Sequence, residues 1–224
     1  GGKFSGCDSE VRSVVTDSRS LSCELGCRPM FVAMRGANHD SHDFIAGMQS
    51  RGVRAFLVER GVEASSCTGE SGFVQVDNAI EALQRLAAYH RAQFRGTVVG
   101  ITGSNGKTVI KEWIAEELPE GMKYYRSPKS YNSQLGVPLS VLMLEGDEEL
   151  AIFEAGISKP GEMERLERII RPDAVIFTSI GDAHQENFIN LEQKCDEKMI
   201  LARSASKIIY HSYYEPLGRM VAAH

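Results

Sequence analysis

Apolar residues in this chain fall into short unbroken runs that alternate with stretches of helical spacing. The runs Val11–Thr16, Met30–Ala33, Ala55–Val58, Phe73–Val76, Thr97–Val99, Leu150–Phe153, Ala174–Phe177 and Ile208–Tyr210 predict strands. Phe44, Ile45 and Met48 mark one face of a short helix that Gly52 can end. Asn78 with Glu81 opens a longer helix like a capping box, and Ile80, Leu83, Leu86 and Ala87 form its buried stripe. Residues 161–170 repeat the pattern with Met163, Leu166, Ile169 and Ile170, and Pro172 closes it. A further helix is expected around 191–205. Unbroken apolar strands between amphipathic helices predict an α/β fold with a mainly parallel sheet covered on both faces. Phe94-Arg95-Gly96 punctuates the pattern, so residues 1–95 are expected as a small N-terminal α/β domain and 96–224 as a second one.

The strand at Thr97–Val99 runs directly into Gly100-Ile-Thr-Gly-Ser-Asn-Gly-Lys-Thr108, and Val109 to Ile114 can continue as a helix. A strand, a glycine turn and a helix start are what a phosphate cradle requires. Glycines let backbone N–H groups close on the anion, and the helix N-terminus adds positive potential. In that reading Gly103, Ser104, Asn105 and Gly106 wrap the phosphates, Lys107 reaches the β/γ-phosphates and the Thr108 hydroxyl ligates Mg²⁺. The common P-loop has glycine where this chain has Ile101, so the spacing is a variant form.

Charge and composition narrow the classes. The net charge of −5 argues against general nucleic-acid or anionic-membrane binding, while a local phosphate site stays compatible with it. No apolar stretch approaches the roughly 20 residues of a membrane helix, and no secretory leader is evident, so a cytoplasmic location is expected. Five scattered cysteines, among them Cys23 and Cys27, fit reduced thiols better than a zinc site, because no second Cys/His pair follows at metal spacing.

Parallel sheets gather ligands beyond the carboxyl ends of their strands. Glu154 closes the apolar run Leu150–Phe153, the place expected of a Mg²⁺-holding acid beside a phosphate loop. Spacing by itself assigns nothing to His184, in a polar loop, or to Lys198, in a helix.

Several motifs taken together resemble the Mur ligases. They are Thr102-Gly-Ser-Asn-Gly-Lys-Thr108, Asn132-x-x-x-Gly136-x-Pro138-Leu139, Glu154-Ala-Gly156 with Gly161-Glu162, and Ala183-His184 followed by Lys198. The first unit joins the resemblance through Thr16-Asp-Ser-Arg19, Phe31-Val-Ala33, Gly36, Asp40, His42 and Phe44-Ile45. That front end is similar to the uridine-nucleotide-binding domain of members adding the third residue or the terminal dipeptide, and Lys111-Glu112 is more like the dipeptide-adding kind. Ser41, Ser130, Ser133, Ser179 and Ile200 depart from the family pattern.

The resemblance implies an ATP-dependent ligase of peptidoglycan-precursor synthesis. It would phosphorylate UDP-N-acetylmuramoyl-tripeptide to an acyl phosphate and pass the acyl group to D-alanyl-D-alanine. It also implies two Mg²⁺ ions, one on Thr108 and Glu154, the other on His184 and a carbamate at Lys198. Ser18, Arg19, Gly36, Asp40, His42 and Asn132 become candidate substrate contacts; the competing reading of Asp17-Ser18-Arg19 is a simple turn with a solvated charge. The family continues beyond this point, so the second domain is expected to be partial, with the adenine and amine sites elsewhere and a fused C-terminal domain conceivable. Competing functions are the ligase adding the third residue, a folate polyglutamate ligase, and a non-catalytic nucleotide-binding regulator. A signalling GTPase is disfavoured because no Asn-Lys-x-Asp guanine reader occurs in these residues.

Overall fold

The computed structural model describes residues 2–20, 28–36, 39–61, 70–181, 187–213 and 215–223. The expectations placed on Cys23, Cys27 and His184 lie outside them. The chain divides into two compact units, Gly1–Leu83 and Gln84–His224. Among the described residues no helix is long and apolar enough to cross a membrane.

The first unit contains β1 (Lys3–Gly6), β2 (Ser13–Val15), β3 (Pro29–Val32), α1 (Ile45–Ser50), β4 (Ala55–Glu59) and β5 (Gly72–Val76). Its sheet runs in the order β1-β5-β4-β3-β2, with β1 antiparallel to β5 and the remaining pairs parallel. Phe56 and Phe73 are register partners on β4 and β5, and their rings stack 5.0 Å apart inside a core with Phe31, Met48 and Val53. A stacked aromatic pair at this separation adds to the area it buries.

Helix α2 (Ala79–Arg91) starts as its cap predicts, the Asn78 carbonyl oxygen of the side chain accepting the Glu81 N–H at 3.0 Å. Its later turns belong to the second unit. Gln84 donates to the Gln134 carbonyl at 3.0 Å, Ala87 and Phe94 enter the second core, and Arg91 donates to the Ile170 carbonyl at 2.8 Å. The division between units therefore falls inside this helix, ahead of the glycine punctuation at residue 96.

The second unit continues with β6 (Thr97–Thr102), α3 (Lys107–Glu116), β7 (Tyr124–Arg126), α4 (Gly136–Val141), β8 (Leu150–Ala155), α5 (Glu162–Ile170), β9 (Ala174–Phe177), α6 (Leu191–Met199), β10 (Lys207–Ile209) and α7 (Glu215–Ala222). Its sheet is parallel throughout, in the order β10-β9-β6-β8-β7. The helix expected over 191–205 stops at Met199 and passes into a 3-10 turn over Ile200–Ala202.

Strand periodicity decides what the site receives. Every residue of β8 is buried, and successive side chains alternate faces. Ala151, Phe153 and Ala155 pack with Met163, Leu166 and Ile170 of α5, whereas Leu150 and Ile152 pack with Ile110 and Ile114 of α3. The next residue on the α3 face is Glu154. On α3 itself, Lys111 and Ala115 are the buried positions, and Thr108 lies one turn before Lys111. A carboxylate and two polar helix residues are thus brought together by a period of two meeting a period of 3.6.

Candidate active site

The phosphate loop is held open by its glycines and pinned by neighbours. Gly103 has φ +150°, and a methyl group there would sit 1.9 Å from Thr178 Oγ1. Gly106 has φ +83° and forms the cap from which α3 starts. Ser104 N–H donates to the Ser179 carbonyl at 2.7 Å, and its hydroxyl donates to the Gly181 carbonyl at 3.0 Å. Thr178 Oγ1 donates to the Asn105 carbonyl at 2.6 Å. The segment after β9 therefore fixes the loop from one side.

Glu154 is completely buried, and each of its oxygens has a separate task. Oε2 accepts from the Thr108 hydroxyl at 3.0 Å and from Asn132 Nδ2 at 3.3 Å. Oε1 lies 2.9 Å from Lys111 Nζ, and both side chains have zero exposure. Two oxygens bound to neighbouring positions of an octahedral Mg²⁺ lie about 3 Å apart, so Thr108 and Glu154 fit one ion. Magnesium commonly takes only one or two protein ligands and completes its shell with phosphates and water.

Two lysines converge on one carbonyl. Lys107 Nζ donates to Gly103 O at 2.9 Å, and Lys198 Nζ, from α6, donates to the same oxygen at 3.2 Å. Burial lowers the pKa of Lys107. Burial, then the like charges of Lys107 and Lys194, push Lys198 down to about 7. Lys194, one turn earlier on α6, is also buried; it bonds the Gly181 carbonyl and lies 5.8 Å from the Phe188 ring centre. Such crowding of ammonium groups is relieved by an anion.

The profile of the Mur ligase middle domain matches residues 101–212, from the phosphate-loop strand past β10. The chain belongs to the Mur ligase family. It is 35% identical over 206 residues to the UDP-N-acetylmuramoyl-tripeptide–D-alanyl-D-alanine ligase of Borreliella burgdorferi, covering 88% of this chain and 44% of that one. A crystal structure of MurF from Acinetobacter baumannii superposes with a TM-score of 0.84 at 27% identity, over 99% of this chain and 49% of the other. MurF ligase from Thermotoga maritima in complex with ADP gives 0.82 at 29% identity, over 95% of this chain and 48% of the other. The chain spans less than half the length of the curated relatives it matches.

Against that Mur ligase pattern, the structure brings Lys107, Thr108, Glu154, Asn132 and Lys198 to the rim where β6 and β8 end. His184 lies outside the described residues. The serines that depart from the pattern have local work. Ser130 Oγ is 3.3 Å from Thr108 Oγ1, Ser133 Oγ accepts the Gly136 N–H at the start of α4, and Ser179 Oγ accepts the Asn105 N–H. Glu162 receives the Ser158 and Lys159 N–H groups and so shapes the turn into α5. Lys111 is the residue whose place the sequence reading missed. Its signal was the three-residue step from Thr108, which puts both on the sheet-facing side of α3.

The first unit's candidates are arranged differently. Arg19 folds back onto Asp17, its Nε at 3.0 Å and a terminal nitrogen at 2.8 Å, and its side chain is 89% exposed. The Arg19 side-chain bonds lower Asp17 to about 2. The Ser18 carbonyl accepts from Arg51. Gly36 N–H donates to the His39 carbonyl at 2.8 Å, closing a turn. Asp40 caps the 3-10 turn over Ser41–Phe44 and bonds Nδ1 of His42, whose Nε2 accepts the Glu59 N–H at 3.0 Å. That network assigns the imidazole proton to Nδ1 and occupies both ring nitrogens.

Proposed function

We propose that this chain carries the uridine-substrate and ATP-binding parts of a cytoplasmic amide ligase that joins D-alanyl-D-alanine to UDP-N-acetylmuramoyl-tripeptide. Residues 1–95 serve the uridine nucleotide and residues 96–224 serve ATP. The observation that carries the reading is the Thr108–Glu154 contact of 3.0 Å beneath a glycine loop whose lysine is poised on Gly103 O. The names of its MurF relatives and the ADP complex of a structural neighbour support the same reading.

The reaction sets two anions against each other, a triphosphate and the tripeptide's terminal carboxylate. When bound, Mg²⁺ supplies the positive charge that lets them approach. Thr108 and Oε2 of Glu154 would hold one ion; Lys198 as a carbamate, with His184, would hold a second. Lys198 suits carbamate formation because its pKa near 7 leaves much of it as a neutral amine at cytoplasmic pH. Lys107, released from Gly103 O, turns to the transferring phosphate, where a preorganised cation lowers the barrier because it is already desolvated. The carboxylate oxygen attacks the γ-phosphorus and ADP leaves. The dipeptide amine then adds to the acyl carbon, and phosphate departs as the amide forms. Asn132, tied to Glu154, is placed to orient the acceptor, while Ser18, Arg19, Gly36, Asp40 and His42 are the proposed contacts to the uridine nucleotide.

The test is the complete gene product incubated with ATP, Mg²⁺, the UDP-muramoyl tripeptide or dipeptide, and a panel of amines. Phosphate release with a new amide to D-alanyl-D-alanine is the expected result. An amide formed only from a single amino acid on the dipeptide acceptor would move the chain to the third-residue ligases. No amide with any acceptor would end the ligase reading. Full activity in Lys198→Ala would remove the carbamate role.

A further inference from the structure

Lys111 sits under the phosphate-loop helix with zero side-chain exposure, and none of the steps above uses it. Three oxygens surround its ammonium group at short range, two carbonyls that accept its hydrogen bonds and a carboxylate oxygen that pairs with it by charge alone. They are Glu154 Oε1 at 2.9 Å, the Ser127 carbonyl at 2.6 Å and the Lys129 carbonyl at 2.6 Å. A fourth oxygen, Glu112 Oε1, stands at 3.4 Å, and Glu112 is in turn paired with Arg126 of β7 at 2.8 Å. Lys129 has φ +49°, a left-handed conformation that a lysine adopts only when its surroundings impose it. Its carbonyl is one of the two that Lys111 draws inward. The loop from Ser127 to Asn132 is therefore gathered around an internal cation, and that loop delivers Asn132 to the other oxygen of Glu154.

We propose that Lys111 is a positioning residue for the metal acid. By occupying Oε1, it makes Glu154 a one-oxygen ligand whose Oε2 faces Thr108, and it sets the Ser127–Asn132 loop in the same act. Were Lys111 absent, the carboxylate could rotate to place both oxygens toward the cation or away from it, and the loop carbonyls would lose their donor. A buried cation also offsets the carboxylate charge before any ion arrives. The inference rests on the Mg²⁺ and nucleotide reading above, and the experiment separates the two.

Affinity of the complete gene product for ADP is measured with Mg²⁺ and with EDTA, for the unaltered protein and for Lys111→Met, which keeps the length and loses the charge. In the unaltered protein Mg²⁺ should tighten ADP binding. In Lys111→Met that tightening should fall by about tenfold or more, the affinity in EDTA changing less than about threefold. Equal Mg²⁺-dependent tightening in both proteins overturns the proposal and leaves the nucleotide site standing. Absence of tightening in the unaltered protein overturns both. A purely structural lysine would weaken both arms together, which also counts against the proposal. Because Lys111→Met can fail to fold, a second measurement uses the unaltered chain: the ¹⁵Nζ resonance of Lys111 should be protected without ligand. It should move when Mg²⁺ is added to the ADP complex and stay in place when ADP alone is added. A resonance indifferent to Mg²⁺ would sink the idea.

Discussion

The two units treat charge in opposite ways, and the contrast separates a site from a turn. In the second unit Lys111, Glu154, Lys194 and Lys198 are each at most 2% exposed, and the three lysines bond the phosphate loop and the segments that follow β7 and β9, Lys111 also pairing with Glu154. In the first, the Asp17–Arg19 pair is open to water and satisfies itself between residues two apart. Desolvating an ion costs several kcal/mol unless partners compensate, so four dry charges at one rim are a costly arrangement that needs a cause outside packing. An exposed pair costs almost nothing to make and argues for nothing. Burial, and not charge alone, is what points to chemistry here.

Lys107→Ala tests the dry side most severely. It removes the cation proposed to face the transferring phosphate, and turnover by the complete gene product should fall by about a thousandfold or more, measured as phosphate release. Melting of the chain should be little changed, since the side chain makes only carbonyl contacts in this state. Activity within tenfold of the unaltered protein would place the phosphates elsewhere. Gly103→Ala follows. The added methyl would fall 1.9 Å from Thr178 Oγ1, at a backbone angle that alanine avoids, so a loss on the order of 3 kcal/mol in urea unfolding is expected together with weakened ADP binding. Gly181→Ala, where an added Cβ meets nothing within 4 Å, is the matched control and should stay within about 0.5 kcal/mol.

Much of the dry side could be read from residue order alone. The glycine spacing, the apolar run ending at Glu154 and the stripe of α5 all report directly on backbone and burial, and the structure places them as expected. Other elements escaped for physical reasons. β7 has three residues, too few to display a period. α4 contains Gly136 and Pro138, both poor helix formers; Pro138 is tolerated because it lies in the first turn, where no helical N–H partner is lost. α2 runs without a break across the division between the two compact units, and of its expected stripe Leu83 and Ala87 are buried whereas Ile80 and Leu86 are exposed. Lys111 escaped because a lysine in a helix reads as a solvated residue unless the facing strand is known to carry a buried carboxylate. Such a pairing is a tertiary fact, and its local trace is no more than the three-residue step from Thr108.

Lys198→Met sharpens the contrast through stability. The folded chain holds the Lys198 amine at a pKa of about 7 against an ordinary value of 10.5. Above 10.5 the amine is neutral in both states and costs nothing electrostatically. As pH falls from 10.5 to 7 only the unfolded chain takes up the proton, so the folded state loses ground steadily; below 7 both are protonated and the deficit is constant. Lys198→Met should therefore raise the unfolding free energy at pH 7 by on the order of 3 kcal/mol, and the gain should shrink toward pH 10. A gain that does not vary over this range would mean that the amine is better solvated than its burial implies. Stabilisation on deleting a residue to which the proposed reaction gives a role would be the signature of a functional group held at a cost.

Arg19→Ala should produce the smallest effect, and the split between its two readouts is what informs. Asp17 titrates near 2 because of Arg19, so the pair's contribution is present above the carboxylate's ordinary 3.8 and disappears as pH falls through 2. The guanidinium is in open water, where salt and solvent screen the attraction, so the urea midpoint at neutral pH should not move measurably. Affinity for the UDP-muramoyl peptide is a separate matter. If Arg19 leaves Asp17 for a diphosphate, it exchanges one solvated anion for another at little cost and gains a ligand with two negative groups. Loss of that contact should weaken binding by about tenfold, with a reduced dependence on salt. Unchanged affinity would return Asp17-Ser18-Arg19 to an ordinary turn, and the wet side of the molecule would have to recognise its nucleotide through other groups.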